Sequence, residues 1–238
     1  MLIVKGRQAV KESLESHQKP TVIFVPAGQN LDQDLASLLE KAKRMGIPLQ
    51  RIDKKRFHDL AQDKHQQIIA QMKDIKGFSF DELLEERPSK IVVLDHLEDP
   101  HNMGAIFRTC EALGIQHVIY PKLRSAKLSS GVIRASAGAI WHLKLCEVSN
   151  IAQRLRQLKD HDYWLYAASE HAENELNEAP HMQPAAFVFG NEHHGVSKIV
   201  QKIIDTSVRI KMRGRVSSLN VSVAAGIVLN HFTESEKQ

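Results

Sequence analysis

The chain has 238 residues, of which 42% are hydrophobic and 25% charged, and this balance excludes a disordered or fibrous protein. No apolar run approaches the roughly 18 to 20 residues that cross a bilayer, and the first residues lack the features of a secretory signal. Two cysteines, Cys110 and Cys146, cannot form a disulfide framework. We therefore expect a cytoplasmic protein with buried thiols.

Positive charge is concentrated in two places, although the 32 basic and 28 acidic residues leave a net charge of only +4. No acidic residue lies between Glu111 and Glu147, and the segment RIKMRGR at 209–215 places basic residues at alternate positions, which would share one face of a strand. Each cluster alone is typical of a solvated edge, but together they favour a polyanion such as nucleic acid. The candidate contact residues are Lys122, Arg124, Lys127, Arg134, Arg213 and Arg215.

The first third of the chain predicts a small α/β domain. Residues 21–26 form a short apolar run closed by proline and glycine, and leucines at helical spacing follow in residues 32–45. Residues 47–52 and 55–61 predict a further strand and a short helix. We place this domain at residues 1–75 and a linker at residues 76–89.

The remaining residues, 90–238, predict a mostly parallel sheet covered by helices on both faces, because strands alternate with helices throughout. Ligands in such folds bind where the strands end at their carboxyl termini. The predicted strands are 90–97, 117–121, 143–148, 163–169, 185–190 and 207–212, and the predicted helices are 103–113, 129–137, 150–159, 196–204 and 220–232.

The loop after the first of these strands reads DPHNMGAIFRTCEALG. Pro100 fixes a turn, Asn102 tolerates irregular backbone, and a helix begins beside Gly104. Arg108 lies six residues after Asn102 and is either a structural ion-pair partner or a functional cation.

A second loop, FVFGNEHHGVS, places Gly190 at the end of a strand and Gly195 before the next helix, and such glycines permit a close backbone approach to a ligand. Glu192 between them is a candidate general base, metal ligand or helix-terminal charge. His193 and His194 raise a metal hypothesis, but adjacent residues seldom face one ion and no zinc spacing accompanies them, so we predict no metal site.

The third loop, KMRGRVSSLNVSVAAG, combines Ser217, Ser218 and Asn220 ahead of an apolar helix. Ser218 is either a functional hydroxyl or simply the helix N-cap. Because the chain contains neither GxGxxG after a strand nor GxxxxGK[ST], a dinucleotide site and a P-loop are not supported.

Taken in this order, the three loops resemble the SpoU, or TrmH-like, branch of the SPOUT RNA methyltransferases, and the resemblance spans most of residues 90–232. It implies a trefoil-knotted parallel sheet, a homodimer, and S-adenosylmethionine contacted by Gly190, Ile210 and Leu219. The residues that match the family's catalytic or RNA-positioning residues are Asn102, Arg108, Glu192, Ser218 and Asn220.

The N-terminal GRQAVKESL, followed by a small α/β unit, resembles the L30e-like substrate-binding domain of the RlmB-type subgroup. That subgroup methylates the ribose 2′-oxygen of a guanosine in 23S ribosomal RNA, within the large subunit. Two departures stand out: HQQI at 65–68 replaces the usual HQG, and His193 and His194 replace small or acidic residues of the second motif.

Three other functions stay open from the sequence. A transfer-RNA 2′-O-methyltransferase shares the same catalytic motifs, a non-catalytic RNA-binding protein would need only the basic surface, and a metal-dependent hydrolase could use Glu192 with the histidine pair. The intact set of motif residues argues against the second. In the favoured reaction Arg108 clamps a phosphate or stabilises the forming alkoxide, because a charged guanidinium has no lone pair with which to accept a proton. Asn102 then holds Arg108 or its loop, and Ser218 and Asn220 orient the ribose hydroxyl.

Overall fold

The computed structural model describes residues 2–16, 19–28, 31–61, 66–73, 75, 77–123, 125–216 and 218–234. Arg124, Ser217 and the first residue of HQQI, His65, lie outside these ranges. No helix among the described residues is long and apolar enough to cross a membrane.

The N-terminal part forms a four-stranded mixed sheet in the order β1-β4-β2-β3, in which β2 and β3 are parallel and β4 is antiparallel to both its neighbours. The predicted strands and helices of this part are confirmed, whereas β1, α1 and β4 are additional. Its elements are β1 (Leu2–Lys5), α1 (Arg7–Glu15), β2 (Val22–Pro26), α2 (Gln33–Arg44), β3 (Leu49–Ile52), α3 (Lys54–Ala61) and β4 (Ile69–Met72).

The C-terminal part is a seven-stranded sheet in the order β7-β6-β5-β10-β8-β11-β9, and every neighbouring pair is parallel, as predicted. Its strands are β5 (Lys90–Asp95), β6 (His117–Pro121), β7 (Lys144–Val148), β8 (Trp164–Ala168), β9 (Asn174–Glu175), β10 (Ala185–Gly190) and β11 (Thr206–Arg209). The α-helices from residue 80 onward are α4 (Phe80–Glu86), α5 (Pro100–Ala112), α6 (Ser130–Ala135), α7 (Ile151–Asp160), α8 (Lys198–Gln201) and α9 (Val221–Glu234).

Helix α4 lies within the segment predicted as a linker. Ser79 and Glu82 form a reciprocal capping box at its start, which satisfies two backbone N–H groups. Phe80 and Leu83 are buried in the same apolar cluster as residues of the seven-stranded sheet. This segment therefore packs on the C-terminal sheet.

The start of α5 differs from the sequence prediction. The helix begins at Pro100, not at residue 103, because the Asp99 carboxylate caps the backbone N–H of His101 and proline is preorganised for a first turn. Asn102 is consequently helical and buried, and the expected irregular backbone at this residue is wrong.

The strand predicted at residues 207–212 ends at Arg209, so Arg213 and Arg215 lie in non-strand backbone and the predicted single face of alternating basic residues does not form. Helix α8 is likewise shorter than predicted, at one turn. Both cysteines are buried, as expected, and burial raises the pKa of the Cys146 thiol to about 11.

Candidate active site

A cavity of about 250 Å³ opens at the carboxyl ends of β8, β10 and β11, where a parallel sheet is expected to bind its ligand. Gly190, Ile210 and Leu219, the three predicted cofactor contacts, all line it, and so do Glu192 and Ser218. Two of the three motif loops therefore meet in one cavity.

Gly190 has no room for a side chain. A Cβ atom built there would lie 2.1 Å from the carbonyl carbon of Gly195 and 2.2 Å from the nitrogen of Val196. The loop folds back this closely because Asn191 and Gly195 pair through their backbones, and Gly195 adopts a left-handed φ of 65°. Only glycine at position 190 fits this turn.

The side chain of Asn191 ties the turn to the end of β5. Its amide Nδ2 donates to the carbonyl oxygen of His96 at 3.0 Å, and its Oδ1 accepts the backbone N–H groups of His193 and His194. Both histidines line the cavity and are exposed. Among the described residues, no group of three or more His, Cys, Asp or Glu side chains could hold a metal ion.

A chain of side-chain hydrogen bonds joins the three motif loops. Asn220 donates through Nδ2 to Oδ1 of Asn102 at 2.9 Å, and Asn102 donates through its own Nδ2 to Oε1 of Glu192 at 3.1 Å. The same carboxylate oxygen accepts the backbone N–H of Asp99 at 3.2 Å. Because Glu192 can only accept when ionised, this chain fixes the direction of the Asn102 amide.

Asp95, which the sequence reasoning missed, anchors the same region. Its carboxylate is 1% exposed, accepts the backbone N–H of Ser197 at 2.7 Å, and contacts Nδ1 of His96 at 2.6 Å. His96 itself has a left-handed φ of 61°. The only sequence signal was an acidic residue that ends a continuous apolar strand.

Two family models match the chain and together cover most of it. The model described as "SpoU rRNA Methylase family" matches residues 89–230, which is more than half of the chain. The chain belongs to this family. The model described as "RNA 2'-O ribose methyltransferase substrate binding" matches residues 3–76.

Relatives of this SpoU methylase match over nearly the full length. A protein of Staphylococcus haemolyticus named "Putative TrmH family tRNA/rRNA methyltransferase" is 35% identical over 96% of this chain and 93% of its own. The fold superimposes with a TM-score of 0.85 on AviRb from Streptomyces viridochromogenes, solved with AdoMet, at 20% identity over 99% of this chain and 90% of that one. The TrmH/SpoU tRNA modifying enzyme of A. aeolicus superimposes with a TM-score of 0.57. It is 32% identical, and the match covers 66% of this chain and 81% of that one.

Arg108 stands apart from the other motif residues of this SpoU methylase. It is exposed on α5, does not line the cavity, and has no hydrogen bond or ion pair within the described ranges. Six residues along a helix turn through about 240°, which places Arg108 and Asn102 on different faces. The expectation that Asn102 holds Arg108 directly is therefore wrong, since its amide is used by Glu192 and Asn220.

The described residues predicted to contact RNA are exposed, namely Lys122, Lys127, Arg134, Arg213 and Arg215. Other basic residues of the two clusters are paired instead. Glu175 lies 3.6 Å from Arg209 and 3.0 Å from Lys211. Lys144 and His117 both contact Glu86. The positive charge available to a polyanion is therefore smaller than the sequence count indicates.

Proposed function

We propose that this protein methylates the ribose 2′-oxygen of a guanosine in 23S ribosomal RNA with S-adenosylmethionine as the methyl donor. The observation that carries the proposal is the hydrogen-bond chain from Asn220 through Asn102 to Glu192, beside a cavity lined by Gly190 and Leu219. These residues come from all three motif loops.

The cavity suits S-adenosylmethionine, which when bound supplies a sulfonium methyl group for displacement. The turn at Gly190 brings loop backbone to the cavity wall, and Ile210 and Leu219 add apolar surface. Gly190, Ile210 and Leu219 would hold the cofactor largely through backbone groups. Glu192 orders this wall, because its Oε1 accepts two hydrogen bonds from the start of α5.

The protein must align the ribose hydroxyl and provide for loss of its proton. Ser218 is exposed in the cavity wall, where its hydroxyl can orient the ribose. Asn220 holds the loop in place, because its Nδ2 donates to Asn102 and its Oδ1 accepts both the N–H and the hydroxyl of Ser222. Arg108 is exposed and unpaired among the described residues, as a clamp for an RNA phosphate requires. A phosphate oxygen or water then accepts the proton.

A homodimer would complete this arrangement. Val223 and Ile227 on α9 are 49% and 40% exposed, and such apolar residues on a helix that otherwise packs on α5 are typical of an interface. We propose a cytoplasmic homodimer with its active sites near the subunit interface. We further propose that the loops around Gly190 and Leu219 form a trefoil knot. The four-stranded L30e-like domain would select the RNA.

Transfer of labelled methyl to ribosomal and transfer RNA, followed by nucleoside analysis, tests the proposal. We expect 2′-O-methylguanosine confined to large-subunit RNA. Label in transfer RNA would keep the reaction but reject the ribosomal substrate. S-adenosylmethionine binding without transfer to ribosomal precursor particles or to either RNA would reject the enzymatic function in favour of a non-catalytic RNA-binding protein.

A further inference from the structure

Helix α3 carries positively charged residues at its N-terminus, where the helix dipole disfavours them. Residues 51–58, RIDKKRFH, hold four basic residues and one acidic residue, and Lys54, Lys55 and Arg56 occupy the first turn. The positive pole of the helix dipole lies at this end, so three cations here lower the stability of the helix. The Asp53 carboxylate accepts the backbone N–H of Arg56 and is thus used as a cap.

Within the described residues these clustered cations are unpaired, whereas two other cations of the domain form close ion pairs. In the same sheet domain Arg7 pairs with Asp32 at 2.6 Å, and Lys41 pairs with Glu15 at 2.5 Å. In contrast, four exposed side chains have no ion pair or hydrogen bond to any part of the chain that the structure describes. They are Arg51, Lys54, Lys55 and Arg56.

The four residues lie on the side of the N-terminal sheet opposite the strand that contacts the C-terminal part. Phe57 and Ala61 anchor α3 on the sheet, so the cations of its first turn stay at the surface. Strand β3, which carries Arg51, is one edge of the four-stranded sheet, and β1 is the opposite edge. Strand β1 contacts α6 of the C-terminal part. Three strand spacings of about 4.8 Å separate the two edges by roughly 14 Å.

We propose that Arg51, Lys54, Lys55 and Arg56 form a second phosphate-binding surface, which we call the α3 patch, for an RNA segment distant from the methylated nucleotide. This inference rests on the proposed function and narrows its substrate to folded RNA that spans the N-terminal sheet from β1 to β3. We expect a short single-stranded oligoribonucleotide bound at the active site to leave the patch unoccupied. Unpaired cations on a stable fold suit phosphate, because its attraction compensates for their mutual repulsion.

The test compares two triple variants with equal loss of charge. Lys54→Gln, Lys55→Gln and Arg56→Gln together remove most of the α3 patch. Lys11→Gln, Lys43→Gln and Arg156→Gln remove three exposed cations on α1, α2 and α7. Binding of transcribed large-subunit ribosomal RNA and of a short single-stranded oligoribonucleotide is measured for both variants between low and high salt, with thermal unfolding as a check on the fold.

We expect the patch variant to bind the large RNA roughly 50-fold more weakly near 0.15 M salt and to lose about two from the salt slope, since each phosphate contact contributes about 0.7 to 0.9. The scattered-charge variant should bind like wild type, and the oligonucleotide should bind all three proteins alike. Equal losses in both variants, unchanged binding of the large RNA, or an equal loss for the oligonucleotide would overturn the proposal. Methyl transfer by the wild-type protein is measured separately, so failure of the enzymatic function is distinguishable from failure of the patch.

Discussion

Substitution of Gly190 by alanine tests whether the tight turn forms the cofactor cavity. The added Cβ would lie 2.1 Å from the carbonyl carbon of Gly195, whereas ordinary contacts begin near 3.4 Å, so the loop must move by about 1.3 Å. Overpacking of this kind costs about 1–3 kcal/mol. The displaced wall carries Glu192, so the cavity changes shape where the cofactor would bind.

We expect Gly190→Ala to raise the Kd for S-adenosylmethionine at least about tenfold, which corresponds to about 1.4 kcal/mol, while the folded sheet persists. Isothermal titration calorimetry and thermal unfolding measure the two effects. Gly77→Ala is the matched control, because a Cβ there has nothing within 4 Å and the backbone is not left-handed. Wild-type cofactor affinity in Gly190→Ala would refute the assignment of this cavity.

Three further predictions concern the charged groups. Glu192→Ala should lower the free energy of unfolding by about 1–3 kcal/mol and reduce methyl transfer, because two donors lose their acceptor. Glu192→Gln keeps an acceptor oxygen and should retain most of the activity. An equal loss of activity in both variants would instead make Glu192 the proton acceptor. Arg108→Lys should lower the single-turnover rate roughly 100-fold, and a near-normal rate would reject the clamp. Burial lowers the pKa of His117 below its ordinary 6.5, despite the hydrogen bond to Glu86. The unfolded state therefore binds more protons, and the free energy of unfolding should fall as pH drops below 6.5. Urea titrations of His117→Gln should show a smaller slope, and the remainder includes His231, whose pKa burial also lowers.

Much of the fold could be predicted because its strands are short apolar runs between turn residues. Residues 91–94 are continuously apolar, and the whole strand 90–95 is buried, as a central parallel strand requires. Element ends were predicted less well. Asp99 and Pro100 started α5 earlier than the apolar pattern indicated, and β11 ended at Arg209 although the alternation of basic residues continued.

The motif residues were found because their types and spacing are recognisable along the chain, but their contacts were not. Asn102 and Asn220 are separated by 118 positions and share one hydrogen bond. Asp95 was missed because a single acidic residue at a strand end has no distinctive spacing. Its importance becomes visible only when Ser197, more than a hundred residues later, donates to it.

Composition, apolar periodicity and the order of three short motifs were sufficient for the α/β class, the parallel C-terminal sheet and the family. These properties depend on neighbours along the chain, which a sequence displays directly. The three-dimensional packing settled which charges remain available, because an ion pair depends on distance in space. It paired Arg209 and Lys211 with Glu175 and left Arg108 exposed. It also made glycine necessary at position 190, because the backbone of Gly195 occupies the space that a side chain would need.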